Sequence, residues 1–422
     1  MSTPAVSVGS GRAAMPFILV AVLFDMVSIG IIVPVLPELV GSLSHSPSEQ
    51  AFWVGVVSFA FAIASFIGAP VLGALSDRYG RRPVLLLGFC GLGLNFFATA
   101  LATELWMLIA VRLLGGAMQA NAAVANAYVA DITAPEDRAR RFGMLGAMFG
   151  LGFILGPATG GALGAIDIHL PFFVAGVLSM LNLAYGWFVL PESLPADKRR
   201  PFSWTAVNPL ASIRALIGLE GVGKLVVVLA CTALAQGVLY NSWVLYTTFK
   251  FGWGSQENGA SLAAVGVMSV LVQGFLLGRL LKWMPAHRLA VIGLVSSTAA
   301  YLLWGLATEG WMMVAVVAAN LLGFTVTASL QSVVSSAADA TRQGQTLGTA
   351  SALNSLMAVL APVLVAPLLM LAADMPRGHP GQGLPLYFGA VLQGIGLVVA
   401  WWHFRHDARY RAAPAAAANP LS

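Results

Sequence analysis

Long apolar runs separated by short polar connections set the pattern of this chain. They fall near residues 15–39, 51–74, 84–102, 105–130, 142–164, 171–190, 224–246, 259–281, 288–306, 311–332, 345–372 and 385–404. Each is close to the ~20 apolar residues that a helix needs to cross a bilayer. The alternating ten-residue segments of an outer-membrane barrel are absent, which leaves helices as the spanning option. The expected fold class is therefore an all-α membrane protein with twelve transmembrane helices. The longest polar interruption, Pro191 to Gly223, divides six spans from six. The expected organisation is a tail (1–14), a six-helix bundle (15–190), a central loop (191–223), a second bundle (224–404) and a final tail (405–422). A short surface helix is expected within the loop, from Leu210 to Ile217.

Composition agrees with the pattern. Of 422 residues, 58% are hydrophobic and 9% charged, against about 25% charged in a soluble domain. Placement of the basic residues gives the orientation. Apart from Arg112, Lys250 and Arg377, every Lys and Arg lies at a terminus or in an even-numbered connection, so both termini are expected on the cytoplasmic side. The net charge of +5 then reports topology and contact with anionic lipid, and nucleic acid is not an expected partner. Cys90 and Cys231 both sit in apolar runs and make neither a disulfide framework nor a metal site. The first run is too long for a secretory leader, contains Asp25 and lacks a cleavage site, so it reads as a permanent span.

Between the second and third runs lies Gly73–Pro83, GALSDRYGRRP, a knot of charge expected to form a cytoplasmic turn. It resembles the signature loop of the major facilitator superfamily, G-x-L-x-D-R-x-G-R-R/K, at Gly73, Leu75, Asp77, Arg78, Gly80, Arg81 and Arg82. Asp131, at the cytoplasmic end of span 4, joins these as an expected gate residue. The corresponding connection in the second half, GRLLKWMPAHR from Gly278 to Arg288, is a decayed copy. Lys282 stands there for Asp77 and Pro285 for Gly80, so an internal duplication of about 200 residues is the economical explanation. Facilitators pack such halves about an axis along the membrane normal, with the site between them. In span 5, Gly143, Gly152, Gly156, Pro157, Gly160 and Gly161 match the antiporter motif G-x8-G-x3-G-P-x2-G-G. Small residues at this spacing let helices approach closely, and Gly156 and Pro157 are expected to set how span 5 packs on the second half. AYVADITAPEDRARRFG (Ala127–Gly143), PFFVAGVLSMLN (Pro171–Asn182), LPES (Leu190–Ser193), NPLAS (Asn208–Ser212) and RQGQ (Arg342–Gln345) are similar to the tetracycline-resistance branch of the drug:proton antiporters. That resemblance covers roughly residues 15–400.

Ionisable groups inside a bilayer are costly and mark function. Of seventeen acids only Asp25 lies well within a span, and it is the expected proton carrier, with Arg112 of span 4 as the matching base. The resemblance places both on the first-span Asp and fourth-span Arg of the branch. At 100° per residue, Arg112, Gly115, Gly116, Gln119 and Asn126 share one stripe of span 4 while Asn121 points the opposite way. Gln236, Tyr240 and Trp243 share a stripe on span 7, and Asn320, Phe324, Thr327 and Gln331 one on span 10. Aromatic faces with neutral amides and hydroxyls suit a flat or amphipathic organic ligand. Two positions depart from the branch: Asn95 and Ser297 stand where it carries acids, which weakens the expectation that tetracycline itself is the substrate. No P-loop and no metal-spaced His or Cys cluster is present, so neither an enzyme, a cofactor nor a metal is expected. The function expected is proton-coupled efflux of a drug-like compound by a monomer in a bacterial cytoplasmic membrane. An exporter or facilitator of an endogenous metabolite, or a receptor that does not transport, are the alternatives.

Overall fold

Apolar runs of this length must close their backbone hydrogen bonds internally, and in the computed structural model they are helices. Residues 8–202, 223–337, 343–407 and 410 are described; the short helix expected at Leu210–Ile217 lies outside them. Among the described residues eleven helices are long and apolar enough to cross a membrane. They are span 1 (Ala14–Ser42), span 2 (Pro47–Tyr79), span 3 (Arg81–Ala100), span 4 (Leu105–Asp131), span 5 (Arg140–Gly164), span 6 (Leu170–Val189), span 7 (Gly223–Phe251), span 8 (Ser255–Trp283), span 9 (Ala286–Leu306), span 11 (Ala350–Ala373) and span 12 (Pro380–His406). The twelfth, span 10, is a pair of shorter helices, Gly310–Ala319 and Gly323–Ser335, bent by 57° at their junction.

Local chemistry explains where spans start and break. Span 2 opens with Pro47 behind Ser46, whose Oγ accepts from the Glu49 amide at 3.1 Å. The Glu49 carboxylate accepts in turn from the amide of His45, just before the cap, at 2.8 Å, so one orphan donor of the helix is satisfied and the entering chain is tied to its first turn. Span 1 loses its helix at Val33–Val35, beside Pro34 and Pro37, because proline cannot donate to the ladder. Span 4 breaks without proline. One helix ends at Ala117 and the next starts at Asn121, and the Ala120 amide folds back to the Met118 carbonyl at 3.1 Å.

The break of span 4 recurs in span 10, and so does its surrounding sequence. Ala102–Met107 reads ATELWM and Ala307–Met312, about 200 positions on, reads ATEGWM. In each copy the threonine hydroxyl meets the methionine sulfur at 3.7 Å. At the same offset Gly88 of span 3 lies against Asn121 at the first break, and Gly293 of span 9 lies against the Leu322 carbonyl at the second. The expected duplication is thus legible in packing as well as in sequence.

Two compact units make up the chain. One is Met1–Asn208 with Trp243–Val267 and Ala366–His379; the other is Pro209–Ser242, Met268–Val365 and Pro380–Ser422. Ile18, Leu85, Phe89, Val124 and Tyr128 are among the buried side chains at the centre of the first, and Leu225, Leu294, Leu330 and Phe404 among those of the second. Outward-facing Trp106, Trp283 and Trp311 sit at span ends, where amphipathic rings meet a membrane surface.

Candidate functional site

Asp25 is buried in span 1, 2% exposed. Its Oδ1 accepts a hydrogen bond from Asn121 Nδ2 at 2.8 Å. Asn121, also buried, is the first residue of span 4 after the break. The expectation that Asn121 points away from the functional face is corrected here, because 100° arithmetic carried from Arg112 assumes an unbroken helix and Met118–Ala120 interrupt it. Arg112 belongs to the half-helix before the break. It is buried, with its guanidinium 5.7 Å from the centre of the Phe61 ring on span 2, an arrangement worth roughly 0.5–2 kcal/mol. Gly116 lies against the Phe61 carbonyl and Gly115 against the Asn95 amide. Asn95 is buried with neither amide atom hydrogen-bonded, and Ser297 is buried in span 9.

The other polar stripes are only partly as expected. Gln119 is half-buried; Asn126 is exposed and donates to the Ala122 carbonyl of its own turn at 2.8 Å. Gln236 and Tyr240 are exposed on span 7, and Gln236 Nε2 donates to Thr327 Oγ1 of span 10 at 3.0 Å. Trp243 departs from that stripe: it is buried, and its Nε1 donates to Ser261 Oγ of span 8 at 2.9 Å. Seven residues carry it about 10 Å along the axis from Gln236, far enough to meet a different neighbour on the same face. Phe324 is half-buried and Gln331 exposed. Asn320 leaves the stripe too. It sits at the break of span 10, buried, accepting from Ser296 Oγ at 2.9 Å.

At the other end of span 2 the charge knot is mostly helix. Gly73, Leu75, Asp77 and Arg78 ride on the last turns of span 2, helix resumes at Arg81, and Gly80 alone joins them. Its φ of 109° favours glycine, and a side chain there would meet the Glu192 carboxylate. The expected turn is therefore a one-residue joint. Arg81 is its hub: Nη1 pairs with Asp77 Oδ1 at 2.6 Å, and Nε pairs with Asp131 Oδ2 at 3.0 Å. Nη1 also donates to Ser76 Oγ at 2.6 Å. Arg78 stays outside this network, 5.1 Å from the Tyr79 ring centre, while Arg82 Nη2 donates to the Trp187 carbonyl.

Sequence reasoning gave Glu192 no role. Its Oε1 accepts from the amides of Arg81 (2.8 Å), Ser193 (3.0 Å) and Leu194 (3.0 Å), and its Oε2 from that of Arg82 at 3.3 Å. A carboxylate at a helix N-terminus contributes roughly 0.3–1 kcal/mol. Ser193 Oγ donates to Asp131 Oδ2 at 3.2 Å, and Tyr128 OH donates to the Pro191 carbonyl at 2.9 Å. The segment after span 6 is therefore tied to spans 3 and 4. The LPES string was the signal available for it.

Span 5 packs only partly as expected: Pro157 meets span 8, whereas Gly156 meets span 1. A Cβ on Gly156 would stand 2.6 Å from Gly30 Cα, and those on Gly152 and Gly160 would meet Met26 and the Ile31 carbonyl. These three glycines, four residues apart, seat span 1 beside Asp25. Gly161, one position round the helix, faces span 8: its Cβ would stand 2.6 Å from the Ser255 carbonyl and 2.9 Å from Gly259 Cα. Pro157 serves both sides, with Cδ near Gly30 and its carbonyl against Gly259. Gly143 has open space around it. Ser255 Oγ also donates to the Glu38 carboxylate at the end of span 1.

Residues 18–362 match the family model of the Major Facilitator Superfamily. The chain is 38% identical to the class C tetracycline resistance protein of Escherichia coli over 365 residues, 86% of this chain and 92% of that protein. It is 33% identical to the class B protein of the same species over 348 residues, 82% and 86%. Among solved structures it is similar to a bacterial homolog of the human lysosomal transporter Spinster, at a TM-score of 0.76 and 16% identity, covering 98% of this chain and 100% of that one. The human organic anion transporter MFSD10 aligns at a TM-score of 0.69 and 22% identity, over 92% and 99%. With its twelve-run pattern, span 5 glycines and charged joint accounted for, the chain belongs to the major facilitator superfamily, in its tetracycline-resistance branch, and is a transporter rather than an enzyme.

Proposed function

We propose that this transporter exports an amphipathic drug-like compound from a bacterial cytoplasm in exchange for protons, with Asp25 as the proton carrier and both termini cytoplasmic. The observation that carries the reading is the environment of Asp25: a buried carboxylate held by a neutral amide, with no ion pair to it among the described residues. Such a group changes protonation with its surroundings, whereas a salt-bridged one stays ionised. The energy suffices, since ~100 mV contributes about 2.3 kcal/mol per charge, roughly fiftyfold in concentration per proton. Arg112, on the half-helix of span 4 before the break, supplies a fixed positive charge to the coupling machinery. Gln119 and Asn126 in the first unit and, taken separately, Gln236, Tyr240, Phe324, Thr327 and Gln331 in the second are the side chains proposed to meet substrate.

Asn95 and Ser297 favour a substrate other than tetracycline. Resistance tests in cells expressing the protein identify the compound, and uptake by everted vesicles tests coupling. Accumulation driven by an imposed acid interior supports exchange; downhill equilibration alone would make the protein a facilitator.

A further inference from the structure

Resting on the assignment of Asp25 as the proton carrier, we propose that Asn121 is its positioning residue. Asn121 holds the carboxyl in both protonation states, more strongly when it is ionised, and that difference sets the pH at which the proton is exchanged. Three observations converge. The 2.8 Å bond joins two buried side chains on different spans. Asn121 begins the second half-helix of span 4, so the break fixes where its amide stands. Gly88 of span 3 leaves the notch that the amide fills, since a Cβ there would collide with Asn121 Oδ1.

An amide suits this task because it offers both a donor and an acceptor. With Asp25 ionised, Nδ2–H donates to the carboxylate. With Asp25 protonated, the acid O–H donates to Asn121 Oδ1. A guanidinium in that place would favour the ionised form and a second carboxylate the protonated one. The charged and titratable groups on the elements packed against span 1 lie elsewhere. On the helix of span 5 they are Arg138, just ahead of the span, and Arg140 and Arg141 at its start; in span 6, Tyr185 packs on Phe17. Tyr128 and Asp131 lie in the last turns of span 4, and Arg112 belongs to the other half-helix.

The test is a pH titration of the carboxylic C=O stretch by infrared spectroscopy on the purified full-length protein, which needs no substrate. A titrating band lost in Asp25→Asn identifies the carrier. Asn121→Ala is expected to move its midpoint upward by about one pH unit, because the carboxylate loses its donor. Gly88→Ala, which keeps Asn121 but displaces its amide, is expected to shift the midpoint the same way and serves if Asn121→Ala fails to insert. The double variant is expected to shift no further than Asn121→Ala alone. A midpoint unmoved in Asn121→Ala or in Gly88→Ala overturns the inference, as do shifts that simply add. A band that survives Asp25→Asn overturns instead the assignment on which the inference rests.

Discussion

A carboxylate at the centre of a membrane helix costs ~2.5–3.5 kcal/mol by insertion measurements, so Asp25 needs a compensating role. If it carries the proton, Asp25→Asn is expected to abolish acid-driven accumulation in everted vesicles, whatever the compound. Substrate-for-substrate counterflow is expected to persist, because the amide resembles the protonated acid and does not titrate. Asp25→Glu is expected to retain some coupling with a displaced pH optimum. Accumulation by Asp25→Asn at the parental level would mean that the proton travels by another route. Asp25 and Arg112 were legible in the sequence because a charge in an apolar run is conspicuous in any fold. Asn121 was not, because helical arithmetic runs through a break that no proline announces. Glu192 was hidden differently: it is one of many loop acids, and its role arises only when the first amides of span 3 fold against it.

Span 2 and span 3 meet at a single glycine, so the charge on either side of Gly80 moves with rigid helix. Arg81 shares its guanidinium between Asp77 and Asp131, and such partly exposed pairs are worth about 0–1 kcal/mol each. That is little for stability, but about 1 kcal/mol on a two-state equilibrium is a fivefold change. Asp77→Asn is therefore expected to reach the membrane normally and to transport about five- to tenfold more slowly; equal initial rates would remove Asp77 from the gate. Gly156→Leu would force span 1 away, since backbone stands where the side chain must go. Transport is expected to fail, with faster thiol labelling of Met26→Cys in that background than in the parent. Labelling at the parental rate would contradict the packing role. The glycine string announced a close approach; which helix each glycine meets was not readable, because Gly160 and Gly161 are adjacent in sequence yet face different spans.

For the whole molecule, span number and duplication followed from run lengths and the GRLLKWMPAHR echo, whereas the outer division of the chain did not. Trp243–Val267 and Ala366–His379 group with the first unit, an association made by packing such as Gly161 on Gly259 that no periodicity reveals. Proton exchange requires opposite ends of the protein to open in turn, so the start of span 8 is expected to part from spans 1 and 5 in each cycle. Glu38→Cys with Ser255→Cys, bridged by a short bis-methanethiosulfonate linker that holds each thiol as a disulfide, is expected to stop transport until a reductant restores it. Uninterrupted transport in the linked protein would show that this contact never opens. Span 10 repeats the break of span 4, but Val317 stands at the offset of Arg112, Lys282 at that of Asp77 and Pro285 at that of Gly80. The mechanical part exists in two copies and the charge chemistry in one. At the same offset from Asp25 the second copy carries Ala230, so a bend lost from one half still has its counterpart in the other, while a carboxyl lost from span 1 has none.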